Sequence, residues 1–555
     1  MTGRMVHGAL CHLIARSAST LLIHRAWRAP SIDLARRSGA DRASCQSLKR
    51  FFASTTTAPS AATAAATATA TATAASSLWQ QLGRYRDSQG SHDVVLALGS
   101  NVGDRYANIK RALLAIEQTL HDHSDAGGQH PLITSALYET APKYVEDQPR
   151  FLNAVCKIRT LHSPHELLDR VKKLEQNLGR QPRFRNGPRE IDIDIILHGL
   201  HVVRDGDHLE VPHPRLTERD FVLKPLCDIS PHLVHPVLGK TVQELCSALE
   251  QRTQGISRAD AMYRVLPVGS TMLPLGRQTH VMSIINTTPD SFSDGGKWTK
   301  PDLAVTHATS LLAAGSAILD IGGQSTRPNA EYVSEEEESR RVVPVITSLA
   351  AHSGKTPVLL SIDTFRASVA KAAIQAGAHI INDVSAGTMS KEMLHTAAAL
   401  QVPIVLMHMR GDSGTMTSLA TYSNDRPIAE QIADELRERV AAAVFAGVWR
   451  WNIIVDPGIG FAKAGEHNFP LLTQLRQFAK CMDGLPTLVG PSRKRFLALA
   501  AQSPELDTPE HRRWATAAAV TACVDQGVDI VRVHDGPEMI SVARTADLIY
   551  NRVPK

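Results

Sequence analysis

Between His280 and Asp535, short apolar runs recur with amphipathic segments between them. The runs are VMSIINTT, SAILDIGG, PVLLSIDT, HIINDV, PIVLMHM, NIIVDPG, PTLVGPS and DIVRVHD. Each is too short for a helix, rich in Val, Ile and Leu on both faces, and closed by Gly, Pro, Asp or Asn, the pattern of parallel strands covered on both sides. The intervening segments, such as LAVTHATSLLAAG and ASVAKAAIQAG, repeat apolar residues at helical spacing and end in Gly. Eight alternations predict an α/β (β/α)8 barrel over residues 279–555.

Reactive groups in that architecture sit where the strands end. The ends carry Asn286, Gln324 with Thr326 and Arg327, Asp363, Asn382 with Asp383, His408, Asp456, Ser492 with Lys494, and Arg532 with His534. Any one of them could be a solvated loop residue. Together, so uniformly placed and so charged, they read as one site.

From Asp93 a different pattern precedes the barrel: strand (VVLALG), helix, strand (LITSALYET), strand (FLNAVCKIRT), helix, strand (EIDIDIILHG). This is the ferredoxin-like α+β order, predicted over residues 90–248. Ile109, Leu113, Ile116 and Leu120 form one stripe of the first helix, with Asp104 as its N-cap; Ser163 and Pro164 suit the start of the second. In the last strand, alternation sends Asp192 and Asp194 to one face and Ile191, Ile193 and Ile195 to the other.

Adjacent carboxylates repel unless a cation neutralises them, and paired oxygens suit Mg2+ carried in with nucleotide phosphates. Arg180, Arg183, Arg185 and Arg189 stand just upstream, and guanidinium groups grip phosphate bidentately. The combination points to phosphoryl transfer from a nucleotide; the competing reading is an exposed strand face beside a solvated Arg loop. GSNVGD lacks the spacing and the Lys of a P-loop, so Gly99 and Gly103 read as turn residues.

Composition changes the picture at the start of the chain. Residues 1–52 carry nine basic and two acidic side chains, the balance of an organelle transit peptide, with the mitochondrial matrix as the expected destination and a plastid as the second choice. Residues 53–89 are Ala/Thr-rich and read as a disordered spacer, and residues 249–278 as a linker. Within a total of +5, the chain after residue 52 sums to −2, which gives no signal for nucleic acid or a membrane surface as partner. Seven dispersed cysteines without a CxxC pair argue for reduced thiols and against a disulfide framework or a structural zinc site.

The segments ALGSNVGD, YETAPKYVEDQPRFLNAV, LGRQPRFRNGPREIDIDIILHG and VPHPRLTERDFVLKPL resemble hydroxymethyldihydropterin pyrophosphokinase. That resemblance implies transfer of pyrophosphate from ATP, as co-substrate, to 6-hydroxymethyl-7,8-dihydropterin. It implies that Asp192 and Asp194 hold two Mg2+ ions and that Arg180 and Arg189 contact phosphates. His213 would reach the nucleotide, Asn153 would hydrogen-bond the pterin, and Phe151 would stack near it.

The barrel motifs IINTTPDSFSDGG, LDIGGQSTRP, SIDTFRASVA, INDVSAG, LMHMRG, VDPGIGFAK, GPSRKRF and RVHDG resemble dihydropteroate synthase. This second resemblance implies condensation of the diphosphate with 4-aminobenzoate, releasing pyrophosphate. Asp456, Asn382 and Asp363 would read the pterin edge, with Lys494 toward its carbonyl and ring nitrogen. Arg532, His534 and an Asn286-bound Mg2+ would take the pyrophosphate. Thr326, Arg327, Pro328 and Ser492 would surround the aminobenzoate, with Asp290 and Phe292 supplied by a closing loop. Gln324, Asn329 and Ala462 depart from the family pattern, which has Glu at the first position and Gly at the other two.

The first domain's product is the second's substrate, so the chain is expected to be a bifunctional folate-biosynthesis enzyme acting on small molecules, with a homo-oligomer through the barrel left open. A methyl-transferring pterin barrel and a non-catalytic pterin-binding scaffold are the other readings. Asp320 and Asp383 read as loop-satisfying carboxylates as readily as catalytic ones, His408 as a packed residue or a site wall, and Glu335–Glu338 as a solvated helix start.

Overall fold

A computed structural model describes residues 91–122, 131–181, 184, 187–253, 262–287, 300–324, 332–351, 357–500, 508 and 511–552. The expected transit peptide and spacer, with Arg183, Arg185, Asp290, Phe292, Thr326, Arg327, Pro328 and Asn329, lie outside the described residues.

The N-terminal domain opens with β1 (His92–Ser100), β2 (Ile133–Thr134), β3 (Leu137–Thr140), β4 (Phe151–Thr160) and β5 (Asp192–His198), followed by a small hairpin of β6 (Val203–Asp205) and β7 (Leu209–Val211). The sheet runs β5-β1-β4-β3, antiparallel throughout, as the ferredoxin-like order requires. Helix Arg105–Thr119 starts because the Asp104 side chain accepts from the Ala107 amide at 2.9 Å. Helix Pro164–Asn177 starts with a reciprocal Ser163–Glu166 capping box and Pro in its first turn. Both pack on one face of the sheet, where Leu96, Leu98, Ile193 and Ile195 join Ile109, Leu113, Leu167 and Val171. Val95, Ala97, Val155 and Ile196 point to the other face and meet Val222, Leu223 and Leu226 of helix Asp220–Ile229.

The eight apolar runs each form a strand: β10 (His280–Asn286), β11 (Ile318–Gly322), β12 (Leu360–Asp363), β13 (Ile380–Asp383), β14 (Ile404–Met407), β15 (Ile453–Asp456), β16 (Leu488–Val489) and β17 (Ile530–Val533). All are parallel in the order β15-β14-β13-β12-β11-β10-β17-β16, and a Val455–Thr487 bridge joins the two ends of the sheet. One expectation needs correcting. Glu335–Glu338 does begin a helix, capped by Ser334, but Glu338 is fully buried and ion-paired with Arg366, because the helix turn carries the fourth acid inward.

The stretch expected as a linker contains a hairpin, β8 (Tyr263–Val268) and β9 (Thr271–Pro274). β8 pairs antiparallel with β3 and so extends the N-terminal sheet. Its alternation divides its side chains: Val265 enters the N-terminal core, while Leu266 and Val268, with Leu273 and Leu275, enter a second cluster. That cluster contains Met282, Ile318, Leu359, Ile380, Val405, Ile454, Leu488 and Ile530, from the N-terminal ends of the eight strands or just before them. The hairpin therefore plugs the N-terminal mouth of the barrel. Beside it, Trp449 and Trp451, just ahead of β15, join the N-terminal core, and the Arg450 amide donates to Thr134 Oγ1 at 3.0 Å.

Leu266→Ala should lower stability by about 2–5 kcal/mol, the range for emptying a packed aliphatic site, as measured by urea unfolding of the full chain. A change within about 0.5 kcal/mol, as at unconstrained surface positions, would mean the hairpin does not plug the barrel.

Candidate functional sites

The first site lies on the sheet face that carries helix Asp220–Ile229. It is a pocket lined by Phe151, Asn153, Asp192, Asp194, Arg219 and Phe221, among others. Cross-strand register builds it: Gly99 of β1 faces Asp192 of β5 on one side and Asn153 of β4 on the other. A Cβ at position 99 would stand 3.0 Å from Asn153 Oδ1, so Gly99 keeps the pocket floor open and is not the turn residue expected. Gly103, at φ +65°, is the turn residue. Asn153 is oriented by donating to Thr140 Oγ1 at 2.7 Å.

Alternation places both acids on this face, as expected. Asp192 lies between Arg180 Nη1 at 2.8 Å and Arg189 Nη1 at 2.7 Å. Asp194 Oδ2 accepts from Arg219 at 3.1 Å, and Arg219 also sits 3.3 Å from His213 Nε2. Arg180 is held from behind by Glu175, a buried acid that also accepts from the Ile193 amide at 2.8 Å.

Burial, and then Asp192, raise the Asp194 carboxyl, with Arg219 opposing. Burial, followed by Arg219, lowers His213 to about 4, so its imidazole is neutral near pH 7. Two carboxylates on one side of a strand, one of them destabilised by the other, fit a divalent cation. The sequence-based reading named Phe151, Asn153, Asp192, Asp194, Arg180, Arg189 and His213 but missed Arg219 and Phe221. Both stand in the RLTERDFVLKPL stretch, where helical spacing alone does not separate pocket residues from core ones.

The second site occupies the C-terminal mouth of the barrel, opposite the plug. At its centre is Arg532 on β17, whose Nε donates to Asp320 Oδ2 at 2.6 Å and whose Nη2 donates to Asp363 Oδ2 at 2.5 Å. Asn382 Nδ2 donates to the same Asp320 oxygen at 3.0 Å. Burial works against the Arg532 charge, but Asp320 and Asp363 outweigh it and raise its pKa. Burial pushes Asp363 up to about 7 against the pull of Arg532, and Asp456 up to about 6 against the Gly458 amide and Lys494. Lys494 is lowered to about 8 by burial, opposed by Asp456, and its Nζ lies 3.9 Å from the Phe461 ring centroid. Phe461 belongs to an apolar wall with Phe365, Val384 and Met407. Asp363 Oδ1 is buried without a hydrogen-bond partner, a ready acceptor for a ligand N–H.

Ser492 and His534 meet, with Oγ 3.2 Å from Nδ1 and 3.1 Å from the His534 amide. Asn286 ends β10 exposed to solvent and level with Gly322, offering one amide oxygen. Asp383 is a loop-satisfying carboxylate, accepting from the Ser385 and Gly387 amides at 2.8 and 2.7 Å. Asp320 is not; it orients Arg532 and Asn382. Gln324 accepts from the Val333 amide at 2.8 Å.

His408 is packed. Its Nε2 lies 3.0 Å from Glu435 and its Nδ1 3.2 Å from Lys463 Nζ, so the neutral ring donates to the carboxylate and accepts from the amine. Lys463 was missed, as nothing in its spacing shows that it is buried. Burial lowers it to about 7.

Residues 282–534 match the family model for pterin binding enzymes, and residues 95–231 that for 7,8-dihydro-6-hydroxymethylpterin-pyrophosphokinase. The mitochondrial folate synthesis bifunctional protein of Pisum sativum is 42% identical over 475 residues, covering 82% of this chain and 89% of that protein. The folic acid synthesis protein fol1 of Schizosaccharomyces pombe is 44% identical over 474 residues, covering 85% of this chain and 61% of the relative. The chain thus spans about three fifths of the length of the fungal relatives, 61% and 62% for two of them. The crystal structure of Plasmodium falciparum HPPK-DHPS with pterin and p-hydroxybenzoate superposes with a TM-score of 0.68 at 24% identity, covering 84% of this chain and 97% of that one, a likeness of fold.

The packing of His408 has a consequence for stability. Burial first, then Lys463, lowers its pKa from 6.5 to about 4. Between those values the unfolded chain takes up a proton that the folded chain refuses. The contribution is therefore complete above pH 6.5 and is lost as pH falls toward 4. From about pH 7 to about pH 5 the loss at this residue should be on the order of 2 kcal/mol. Comparing urea unfolding of the parent with His408→Gln at the two pH values checks it; an equal loss in both would exclude His408 as the source.

Proposed function

The chain belongs to the family of bifunctional folate-synthesis proteins, and on that premise we propose that it performs two consecutive reactions. The N-terminal domain transfers pyrophosphate from ATP to 6-hydroxymethyl-7,8-dihydropterin. The barrel condenses the resulting diphosphate with 4-aminobenzoate to give 7,8-dihydropteroate. The observation that carries this reading is the charge pattern of the two sites: an acid pair among three arginines in one, and one guanidinium held by two buried acids, beside an apolar wall and a buried amide, in the other.

In the first site Asp192 and Asp194 would hold two Mg2+ ions, which neutralise the ATP phosphates when bound. Arg180 and Arg189, drawn off Asp192 by those ions, would grip phosphate oxygens. His213, neutral, would contact the nucleotide. Phe151 and Phe221 would flank the pterin ring while Asn153 reads its edge. In the barrel, Asp456 and Asn382 would face the amino-pyrimidinone edge and Lys494 its carbonyl. Arg532 and His534 would draw the leaving pyrophosphate, with Asn286 giving one oxygen to a further Mg2+. Thr326, Arg327 and Ser492 would enclose the aminobenzoate, excluding water that would compete with its amine. The basic composition of residues 1–52 and the plant relatives named mitochondrial support a mitochondrial address.

Two outcomes follow. With the full chain, ATP, Mg2+, the pterin alcohol and aminobenzoate, Asp192→Ala should lower AMP release about 100-fold or more, and Lys494→Ala should lower dihydropteroate by a similar factor with AMP release unchanged. AMP without dihydropteroate in the parent, even when the diphosphate is supplied directly, would leave the barrel without this reaction. The N-terminal domain also packs at the barrel's N-terminal mouth, whereas the synthase groups line the other mouth. The diphosphate should therefore pass through solvent. Unlabelled diphosphate added to a reaction with labelled pterin should dilute the label in dihydropteroate in proportion to the pool; undiluted label would show direct transfer.

A further inference from the structure

At the end of β5 remote from Asp192, three imidazoles face one another. His92 opens β1, His198 ends β5, and His201 lies in the turn that follows. Their ring centroids are 5.0, 4.8 and 5.1 Å apart, and one ring nitrogen from each lies within 4.8 Å of the others. Backbone geometry makes the cluster. Val94 pairs with His198 across the sheet, the Gly199 amide donates to Asp93 at 2.7 Å, and the His201 amide donates to His198 at 3.0 Å. These bonds fold the turn back over the start of β1, with Gly199 in the left-handed region at φ +52°.

His198 is fully buried, and its Nε2 lies 2.9 Å from the His162 carbonyl oxygen. Only a donor satisfies a carbonyl, so Nε2 carries the proton and Nδ1 presents a lone pair. That Nδ1 is buried and has no hydrogen-bond partner. An imidazole whose one nitrogen is anchored to a carbonyl while the other is bare is oriented as metal-binding histidines are. Burial lowers the pKa of both His92 and His198, and neighbouring imidazoles add to it in each case.

We propose that His92, His198 and His201 bind a divalent transition-metal ion of the zinc class, with water completing the shell through exposed His201. Imidazole nitrogen favours Zn2+ and Co2+ over Mg2+, so this site would not compete with the carboxylates for their ion. Six residues of strand separate His198 from Asp192, roughly 20 Å, so the ion takes no part in phosphoryl transfer. It ties the first residue of β1 to the turn after β5.

The test uses the full chain purified without an affinity tag, stripped with chelator and titrated with Co2+ in excess Mg2+, so that the acid pair is occupied. One equivalent should bind with the visible absorption of low-coordinate Co2+, Zn2+ should displace it, and the thermal midpoint should rise. His201→Ala, at an exposed position, and His92→Ala should each weaken Co2+ binding at least about tenfold, with AMP release unchanged when the proteins are assayed with Mg2+ alone. Absence of a saturable band, or a band equally strong in His201→Ala, would overturn the proposal and leave three imidazoles in ring contact only.

Discussion

The arrangement of this chain depends on one edge pairing, that of β8 with β3. Through it the N-terminal sheet gains a strand whose opposite face is already committed to the barrel. The buried aliphatic side chains of β8 are thus divided, Val265 to one core and Leu266 and Val268 to the other. A barrel needs its N-terminal mouth filled and an open sheet needs its edge covered, and the hairpin meets both needs with the same few residues. The barrel's other mouth, unobstructed by it, is where the strands deliver their polar ends.

At that mouth the governing fact is charge taken out of water. Arg532, Asp320, Asp363, Asp456, Lys463 and Lys494 are crowded among apolar walls, and burial drives the last four toward neutrality. Such groups change protonation state cheaply and can match a ring edge that presents donors beside an acceptor. Asp320 makes the arrangement rigid. Fully buried and shared by Arg532 and Asn382, it fixes two groups that a ligand would meet, without facing solvent itself.

Much of this was legible in the sequence because strand ends in a parallel barrel are a one-dimensional code. The eight apolar runs named the strands, and the residue closing each named the site. Asp192 and Asp194 were legible for the same reason, since alternation with three isoleucines settles their face. What escaped was side-chain burial across elements. Nothing local distinguishes Asp320 from a loop carboxylate, or shows that Glu338 meets Arg366 from a neighbouring element. Gly99 looked like a turn residue because the sequence does not show that Asn153 stands beside it. The linker hid a hairpin because YRVLPV and TMLP lack the regular alternation of an ordinary two-sided strand. Their faces answer to two different cores.

The two sites, each proposed to take a flat heteroaromatic ring, are built on opposite electrostatic means. In the N-terminal pocket the acids stay partly open, Asp194 at 32% side-chain exposure, and each is matched by guanidinium groups that a cation can release toward phosphate. That site is built to exchange counter-ions. In the barrel the Arg532 pair is enclosed, with Asp320 fully buried, and one oxygen each of Asp320 and Asp363 is left without a hydrogen-bond partner. A ligand there inserts into a fixed pattern instead of rearranging a loose one. The difference follows the chemistry each site is proposed to perform. Moving a highly charged pyrophosphoryl group calls for mobile compensation of charge, whereas holding a ring while its substituent departs calls for donors and acceptors already in place.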